Sequence, residues 1–355
     1  MKITLSNIIK KYGEFPAINS VNLDLNSGEM LGLVGPNGSG KTTLLKLILG
    51  ILKPTQGQIQ VDGQILDPAT WKEYKRRVGY MPERVSFYDN LTGMETLKFF
   101  GEIKDGSIDN IKDVLDRLFT KEILDKKVGS YSKGMRQRLN FAQAIINDPS
   151  VLILDEPTSG LDPIGIKEFY DIISGILARK KPIIILSSHI LAEIEDRVTK
   201  VGIMKEGILQ ALGTLNELYK ISDLPLKLYI MLNSRGSTPI ESRGSTPIDS
   251  RGSTPIDSRG STPIDSQGST PIDSQGSTTI NSQGSTPVKS ENNAIIDMLN
   301  REGVKIIMST ENDIHCEFHR DKKMKILSCL MELRIDVSDF IVREPSLEEV
   351  FFGLN

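Results

Sequence analysis

The sequence predicts an α/β protein whose first domain is built on a mostly parallel sheet. Three short apolar runs, at 30–34, 151–154 and 183–186, have the composition of buried parallel strands. Helix-like and strand-like segments alternate over residues 1–220, which is typical of an α/β domain. Polar or glycine-rich residues follow each apolar run directly, and open α/β sheets bind ligands at the carboxyl ends of their strands. We therefore expect a ligand site at that edge of the sheet.

The first of these strands leads into a glycine-rich loop. Residues 35–42 match the pattern G-x-x-x-x-G-K-[ST] at every fixed position, between a predicted strand and a predicted helix. In that context the backbone N–H groups and the helix N-terminus can face a phosphate chain. We expect Lys41 to reach the β- and γ-phosphates of a nucleotide with a catalytic role, and Thr42 to supply a hydroxyl to Mg²⁺. The predicted phosphate-binding residues are Gly35, Asn37, Gly38, Ser39, Gly40, Lys41, Thr42 and Thr43.

Two carboxylates, Asp155 and Glu156, follow the second apolar run. In a protein with a phosphate loop, an aspartate at a strand end can hold Mg²⁺, so we expect Asp155 to do this. Glu156 lies one residue further and can accept a proton from an attacking water as a general base. The alternative is a structural role, in which both acids cap the next segment.

The composition argues against several classes of protein. The chain has 43 Lys and Arg against 46 Asp and Glu, a net charge of −3, so it lacks the basic character typical of nucleic-acid binding. Its first residues lack the apolar segment of a signal peptide. No apolar run approaches the ~20 residues of a membrane-spanning helix. We therefore expect a cytoplasmic protein, in which any membrane role comes through a partner.

The two cysteines, Cys316 and Cys329, do not have C-x-x-C spacing. A structural disulfide between them is not expected in a reducing compartment. The run at 315–319, His-Cys-Glu-Phe-His, is a candidate metal cluster. On a strand, however, His315 and Cys316 face opposite sides, so ordinary strand residues are the favoured interpretation.

Three regions depart from the α/β pattern. Helical patterns over about 88–147 predict a helical subdomain inserted into the sheet domain. Residues 235–290 repeat the octapeptide Arg-Gly-Ser-Thr-Pro-Ile-Asp-Ser and close copies of it, which predicts a disordered insert, with an interaction tether as the alternative. The flanks, 225–234 and 291–355, have the predicted order βαββαβ, which indicates one small α+β domain interrupted by the repeat.

A motif at 131–138 resembles the signature of the ATP-binding cassette (ABC) family. That family has the sequence L-S-G-G-Q ahead of its Asp-Glu pair, and Ser132 and Gly134 match it in place. Tyr131, Lys133 and Met135 depart from it. In the family this motif binds the γ-phosphate of ATP held by the opposite subunit. The resemblance therefore implies a head-to-tail dimer with two ATPs, and nucleotide-binding roles for Ser132 and Gly134.

Other elements of the family follow in the same order. Residues 159–162 resemble the D-loop, which implies that Asp162 lies near the nucleotide. His189 matches the switch histidine that contacts the γ-phosphate and positions water. Tyr12 matches the aromatic residue that stacks on adenine, with surface packing as the alternative.

Glu83 departs from the family pattern, which usually has a glutamine at this position. A glutamine amide can coordinate Mg²⁺ and also donate a hydrogen bond, whereas an ionised glutamate only accepts. We expect Glu83 to bind Mg²⁺ together with Thr42 and Asp155. Its way of sensing the γ-phosphate is expected to differ from that of glutamine.

Three runs, at 80–88, 131–139 and 344–351, resemble one subfamily. It comprises the NosF-like ATPase subunits of the NosDFY transporter, which matures the copper site of nitrous oxide reductase. The resemblance implies an integral membrane transporter subunit and a periplasmic partner, with this chain at the inner face of the cell membrane. Related exporters of drugs, lipids or polysaccharide share parts of these motifs and are the alternative.

Two further classes of function compete with a transporter ATPase. Soluble cassette ATPases of translation or DNA repair usually carry two cassettes or a long insertion, whereas this chain has one cassette. A non-catalytic regulator is disfavoured because Lys41, Asp155, Glu156 and His189 are all present. The motifs do not specify the cargo, and copper, a sulfur species and a lipid-like molecule stay open.

Overall fold

The computed structural model of the chain describes residues 1–195, 197–232, 288–310, 312–333 and 337–353. The chain divides into two compact units, Met1–Pro225 with Glu344–Asn355, and Leu226–Arg343. All but the last three residues of the octapeptide repeats lie outside the described residues, so the expected disorder of the insert stays a prediction.

The first unit contains two sheets. Its strands are β1 (Lys2–Tyr12), β2 (Phe15–Asn26), β3 (Met30–Val34), β4 (Gln56–Val61), β5 (Gln64–Ile65), β6 (Val78–Met81), β7 (Val151–Asp155), β8 (Ile183–Ser188), β9 (Lys200–Lys205) and β10 (Ile208–Gly213). The outer, antiparallel sheet has the order β2-β1-β4-β5, and the central six-stranded sheet has the order β10-β9-β3-β8-β7-β6. In the central sheet β10 is antiparallel to β9, and the other neighbouring strands are parallel.

The three predicted strands form the middle of the central sheet. All residues of β3, β7 and β8 are buried. Their side chains enter two separate cores on opposite faces, as Leu152 and Val151 show on β7. Burial on both faces explains why these runs are continuously apolar. Because the strands are parallel, the loops after β3, β7 and β8 share one edge of the sheet.

Four helices lie between β6 and β7 along the chain and account for the predicted helical subdomain. The helices of the first unit up to residue 221 are α1 (Lys41–Ile48), α2 (Pro68–Arg76), α3 (Gly93–Ile103), α4 (Lys112–Leu118), α5 (Lys121–Leu124), α6 (Lys133–Ile145), α7 (Pro163–Lys180) and α8 (Leu215–Ile221). Helix α3 begins with a capping box, in which Thr92 and Glu95 each bond the other's backbone N–H. None of the helices in the described ranges is both long and apolar enough to cross a membrane.

The second unit has the predicted order βαββαβ. Its elements are β11 (Leu226–Leu232), α9 (Val288–Arg301), β12 (Lys305–Ser309), β13 (Asp313–Phe318), α10 (Lys323–Glu332) and β14 (Val337–Arg343). The strands form an antiparallel sheet in the order β12-β13-β11-β14. On β13, Cys316 is buried, which raises the pKa of its thiol to about 12, whereas His315 packs edge-on against Tyr229. His315 and Cys316 thus face opposite sides of the strand.

The domain boundary expected from the sequence is wrong for the last segment of the chain. Residues 344–355 were expected in the second domain, but they belong to the first unit. Its helix α11 (Leu347–Gly353) buries Leu347 and Val350 completely in a core of the first unit. The Leu347 N–H also donates to Glu195 Oε1 at 3.0 Å. Two apolar side chains three residues apart share one helical face, and the first unit supplies the apolar surface that this face needs.

Candidate functional site

The loop between β3 and α1 depends on glycines in backbone conformations that other residues rarely adopt. Gly35, Gly38 and Gly40 have φ angles of 152°, 82° and 102°. A Cβ atom at Gly35 would overlap the carbonyl oxygen of Met204. The loop can therefore turn tightly and present its backbone, as a phosphate cradle requires.

Lys41 is the first residue of α1 and is only 6% exposed. Its Nζ donates hydrogen bonds to the carbonyl oxygens of Gly35, at 2.7 Å, and Pro36, at 3.2 Å. Burial lowers the pKa of Lys41, although nearby carboxylates, Glu156 foremost, oppose that shift. The amine of Lys41 thus lies inside the loop and close to carboxylates. Its hydrogen-bond partners are backbone carbonyl oxygens of the same loop.

Asp155, the last residue of β7, is buried and held by two hydroxyls. Ser187 Oγ donates to Asp155 Oδ1 at 2.6 Å, because the two residues pair across β7 and β8. Thr42 Oγ1 donates to the same oxygen at 3.4 Å. The Asp155 carboxylate is therefore fixed directly beside the first turn of α1.

Glu156 and His189 form a close pair next to the loop. His189 Nδ1 and Glu156 Oε2 are 2.8 Å apart. Glu156 has a φ of 50°, a left-handed conformation that is uncommon outside glycine. Its N–H donates to Ser187 Oγ at 3.0 Å, and its carbonyl oxygen accepts from Gln137 Nε2 at 3.2 Å. These bonds hold a strained backbone in place, a feature that is common at functional sites.

The loop, Lys41, Glu156 and His189 border an open cavity of about 410 Å³. The predicted residues that line it are Tyr12, Asn37, Gly38, Gly40, Lys41, Thr42, Thr43, Glu83, Glu156 and His189. The exposed ring of Phe15 also lines it, and Phe15 pairs with Tyr12 across the β1–β2 hairpin. Two exposed aromatic rings beside a phosphate loop suit a nucleobase, because every base offers a face for stacking.

Glu83 approaches the cavity from the segment that follows β6. Its side chain is 50% exposed, and its Oε1 lies 3.7 Å from Arg84 Nε in a solvated ion pair. Thr42 and Glu83 both line the cavity, and Asp155 contacts Thr42 behind it. One hydroxyl and two carboxylates are the hard oxygen donors that Mg²⁺ prefers, so this set of residues fits that ion by its chemistry.

The 131–138 motif lies at the start of α6 and does not line this cavity. Ser132 caps the helix, since its Oγ accepts from the Met135 N–H at 3.2 Å. Gly134 packs against the next loop, where an added Cβ would lie 3.4 Å from the Gly160 carbonyl oxygen. Lys133 Nζ donates to Ser159 Oγ at 3.2 Å, and Ser159 does line the cavity.

Three other predicted residues have local structural roles within one chain. Asp162 caps α7, because its Oδ1 accepts from the Gly165 N–H at 3.0 Å. Gly35 shapes the turn of the loop. Ser39 is buried in the loop, and its Oγ has no hydrogen-bond partner among the described residues.

Several residues of the site were not identified from the sequence. Ser187 holds both Asp155 and the Glu156 backbone, and its position at the end of the predicted strand 183–186 was the available signal. Gln137 fixes the Glu156 carbonyl from α6, and no local pattern indicates this contact. Phe15 follows the turn after Tyr12, so strand alternation across a hairpin could have indicated it.

The fold and the site define a nucleotide-binding protein of the α/β class with a phosphate loop. The family model described as ABC transporter matches residues 18–159. The bacitracin transport ATP-binding protein BcrA of Bacillus licheniformis is 42% identical over 211 residues, which cover 58% of this chain and 68% of that protein. A fluoroquinolones export ATP-binding protein of Mycobacterium tuberculosis is 38% identical over 204 residues, 57% of this chain and 67% of that protein.

Solved structures agree with this assignment. The ATP-binding subunit of an ABC transporter is 29% identical with a TM-score of 0.58, and the match covers 62% of this chain and 93% of that chain. A bacterial ABC transporter cassette solved as a dimer shares the fold at 24% identity and a TM-score of 0.54, over 60% of this chain and 98% of that chain. The chain belongs to the ATP-binding subunits of ABC transporters, and it is an ABC-type ATPase that binds ATP.

Proposed function

We propose that this chain hydrolyses ATP as a head-to-tail dimer and so energises a separate integral membrane subunit. The observation that carries the proposal is the Glu156–His189 pair, 2.8 Å apart, in the same cavity as Lys41. The side chains that we propose as the general base, its basic partner and the phosphate-binding amine all line this cavity.

The loop and Lys41 bind the phosphates in this proposal. Lys41 now donates to carbonyl oxygens of its own loop, and phosphate oxygens are stronger acceptors because they are charged. The N–H groups of 38–43 add the positive end of the α1 dipole. Thr42, Asp155 and Glu83 would hold Mg²⁺, which neutralises phosphate charge when it is bound.

Glu156 acts as the general base. Its side chain is 14% exposed, and it lines the cavity beside His189. The carboxylate accepts the proton of the attacking water, while His189 holds the carboxylate and faces the γ-phosphate. Tyr12 and Phe15 stack on the adenine ring of ATP, and this places the phosphates over the loop.

A second copy completes the site. Ser132 and Gly134 lie outside the cavity, although they begin a helix of 13 residues whose N-terminus suits an anion. In a head-to-tail dimer this helix start would meet the γ-phosphate held by the other copy, and Asp162 would lie near the interface. The closed dimer forms because ATP binds it more tightly than the open state.

We propose that the membrane subunit is an exporter, with this chain at the inner face of the cell membrane. Two relatives with known cargo support this, since one is named for bacitracin transport and another for fluoroquinolone export. Maturation of the copper site of nitrous oxide reductase, with a periplasmic partner, is the second candidate, and it is supported by the runs at 80–88, 131–139 and 344–351. Deleting the gene separates them: sensitivity to amphipathic antibiotics supports export, and copper-free nitrous oxide reductase supports maturation.

The variant Glu156→Gln tests the catalytic proposal. Loss of a general base is expected to reduce the ATPase rate by about 10²- to 10⁴-fold. Binding of ATP should persist, because the loop and Lys41 are unchanged. The exposed Glu73→Gln on α2 is the matched control and should keep the parental rate. An ATPase rate in Glu156→Gln close to that of the parent would remove Glu156 as the base.

A further inference from the structure

A half-buried amine at the end of α3 lies outside the cavity and has no part in the proposed mechanism. Lys104 Nζ donates to the backbone carbonyl oxygen of Gln143 at 2.6 Å and to Gln143 Oε1 at 2.7 Å. It also lies 5.9 Å from the ring centroid of Phe100. Burial lowers the pKa of Lys104 to about 8. Such a costly group needs a structural or functional reason.

The hydrogen bonds from Lys104 continue in one direction through two amides on α6. Because Gln143 Oε1 accepts from Lys104, its Nε2 points away and donates to Asn140 Oδ1 at 3.1 Å. Asn140 Oδ1 is then the acceptor, so its Nδ2 donates to the Pro82 carbonyl oxygen at 2.8 Å. An ammonium group only donates, and it therefore fixes the orientation of both amides.

This chain of bonds ends on the backbone next to Glu83. Gln143 Nε2 also donates to the Tyr80 carbonyl oxygen at 2.9 Å, so the amides hold this segment at two points. Asn140 is fully buried, which makes an unpaired amide there costly. Helix α6 also packs closely on β6, since a Cβ at Gly79 would overlap the Ala144 carbonyl oxygen. The position of Pro82, and of Glu83 after it, thus depends on α6.

We propose that Lys104 is a positioning residue for Glu83. Through Gln143 and Asn140 it fixes the Pro82 carbonyl, and this sets where the Glu83 carboxylate enters the nucleotide cavity. The inference rests on the proposed role of Glu83 as a ligand for Mg²⁺. Lys104 itself does not line the cavity.

Two variants cut this chain of bonds at different points. Lys104→Met keeps the unbranched stem but leaves two Gln143 oxygens without their donor. Since that loss can also destabilise the fold, Gln143→Glu provides the second variant. A glutamate there keeps its bonds from Lys104 but cannot donate to Asn140 or Tyr80. The control is Lys98→Met, which removes an exposed lysine from the same helix.

Equilibrium titration of the full chain with a fluorescent ATP analogue, in Mg²⁺ and in EDTA, provides the readout. In Mg²⁺ the affinities of Lys104→Met and Gln143→Glu should fall about tenfold, as for other residues that orient metal ligands. In EDTA both affinities should match that of the parent, because the loop and Lys41 bind without the metal. Equal losses in both buffers would show a general structural role, and no loss in Mg²⁺ would show no role; either result overturns the inference.

The variant Glu83→Ala separates this inference from the proposed function. It should reduce the affinity in Mg²⁺ but not in EDTA, and adding Lys104→Met should then have no further effect. If Glu83→Ala leaves the affinity in Mg²⁺ unchanged, the proposed metal role of Glu83 is wrong. If Glu83→Ala lowers the affinity in Mg²⁺ as expected, but Lys104→Met lowers it further by its full separate amount, only the positioning role of Lys104 is wrong.

Discussion

The phosphate loop and the signature motif both lie at the start of a helix, yet they differ in what surrounds them. Lys41 on the loop is 6% exposed and lies close to carboxylates of its own chain. Lys133 in the signature is exposed, and its bond is to the hydroxyl of Ser159. The loop therefore lies beside the proposed base and the proposed metal ligands of its own chain, whereas the signature does not line that cavity. This difference supports a site that needs two copies, each contributing one region.

Loss of the loop lysine should have the largest effect. Lys41→Met removes the cation that faces the phosphates, and we expect the ATPase rate to fall about 1,000-fold. ATP binding should fall with it, because the same amine acts in the ground state. Lys46→Met, on the same helix, is the control and should bind ATP like the parent. ATP binding in Lys41→Met at the parental level would contradict the loop's role.

Loss of the signature should have a smaller effect of a different kind. Gly134→Asp places a negative charge at the helix start that would meet the partner's phosphate, so the ATPase rate should fall about 100-fold. A single chain should still bind ATP normally, since Gly134 does not line the cavity. Gly175→Asp is the matched control, because an added Cβ there meets no atom within 4 Å. Impaired ATP binding by the Gly134→Asp monomer would contradict the proposed difference between the phosphate loop and the signature motif.

Loss of the aromatic ring of Tyr12 should have the smallest effect. Tyr12→Ala removes one stacking surface, which is worth about tenfold in ATP affinity. The maximal ATPase rate should stay the same, because Tyr12 has no part in the proposed activation of the attacking water. Tyr88→Ala, which removes another exposed tyrosine, is the control. A lower maximal ATPase rate with unchanged ATP affinity would show that Tyr12 does not contact the adenine ring.

Features that depend only on residues adjacent in the sequence could be predicted from it. The loop at 35–42 is one such case, because its glycines, Lys41 and Thr42 act through the local turn. The pair of Asp155 and Ser187 depends instead on the register of β7 and β8, which the sequence indicates only through two strand ends. Gln137 reaches the Glu156 carbonyl from a helix 19 residues earlier in the chain, and nothing local marks that contact.

Two further features required the packed structure. Leu347 and Val350 show by their spacing that one face of their helix is buried, but not which unit buries it. The sequence-based boundary failed at 344–355 for that reason. Lys104 looks like an ordinary surface lysine until its bonds to Gln143 are seen. Asp162, expected near the nucleotide, is a helix cap within one chain, and its role in a dimer stays a prediction.

The central claim is that each ATP lies between the loop of one copy and the signature of another. Light scattering of the Glu156→Gln chain with and without ATP and Mg²⁺ tests it most directly, since slow hydrolysis should trap the closed state. We predict a dimer only when ATP is present, and a monomer when Gly134→Asp is added although ATP still binds. A dimer that forms without ATP, or that persists in the Gly134→Asp variant, would contradict the composite site.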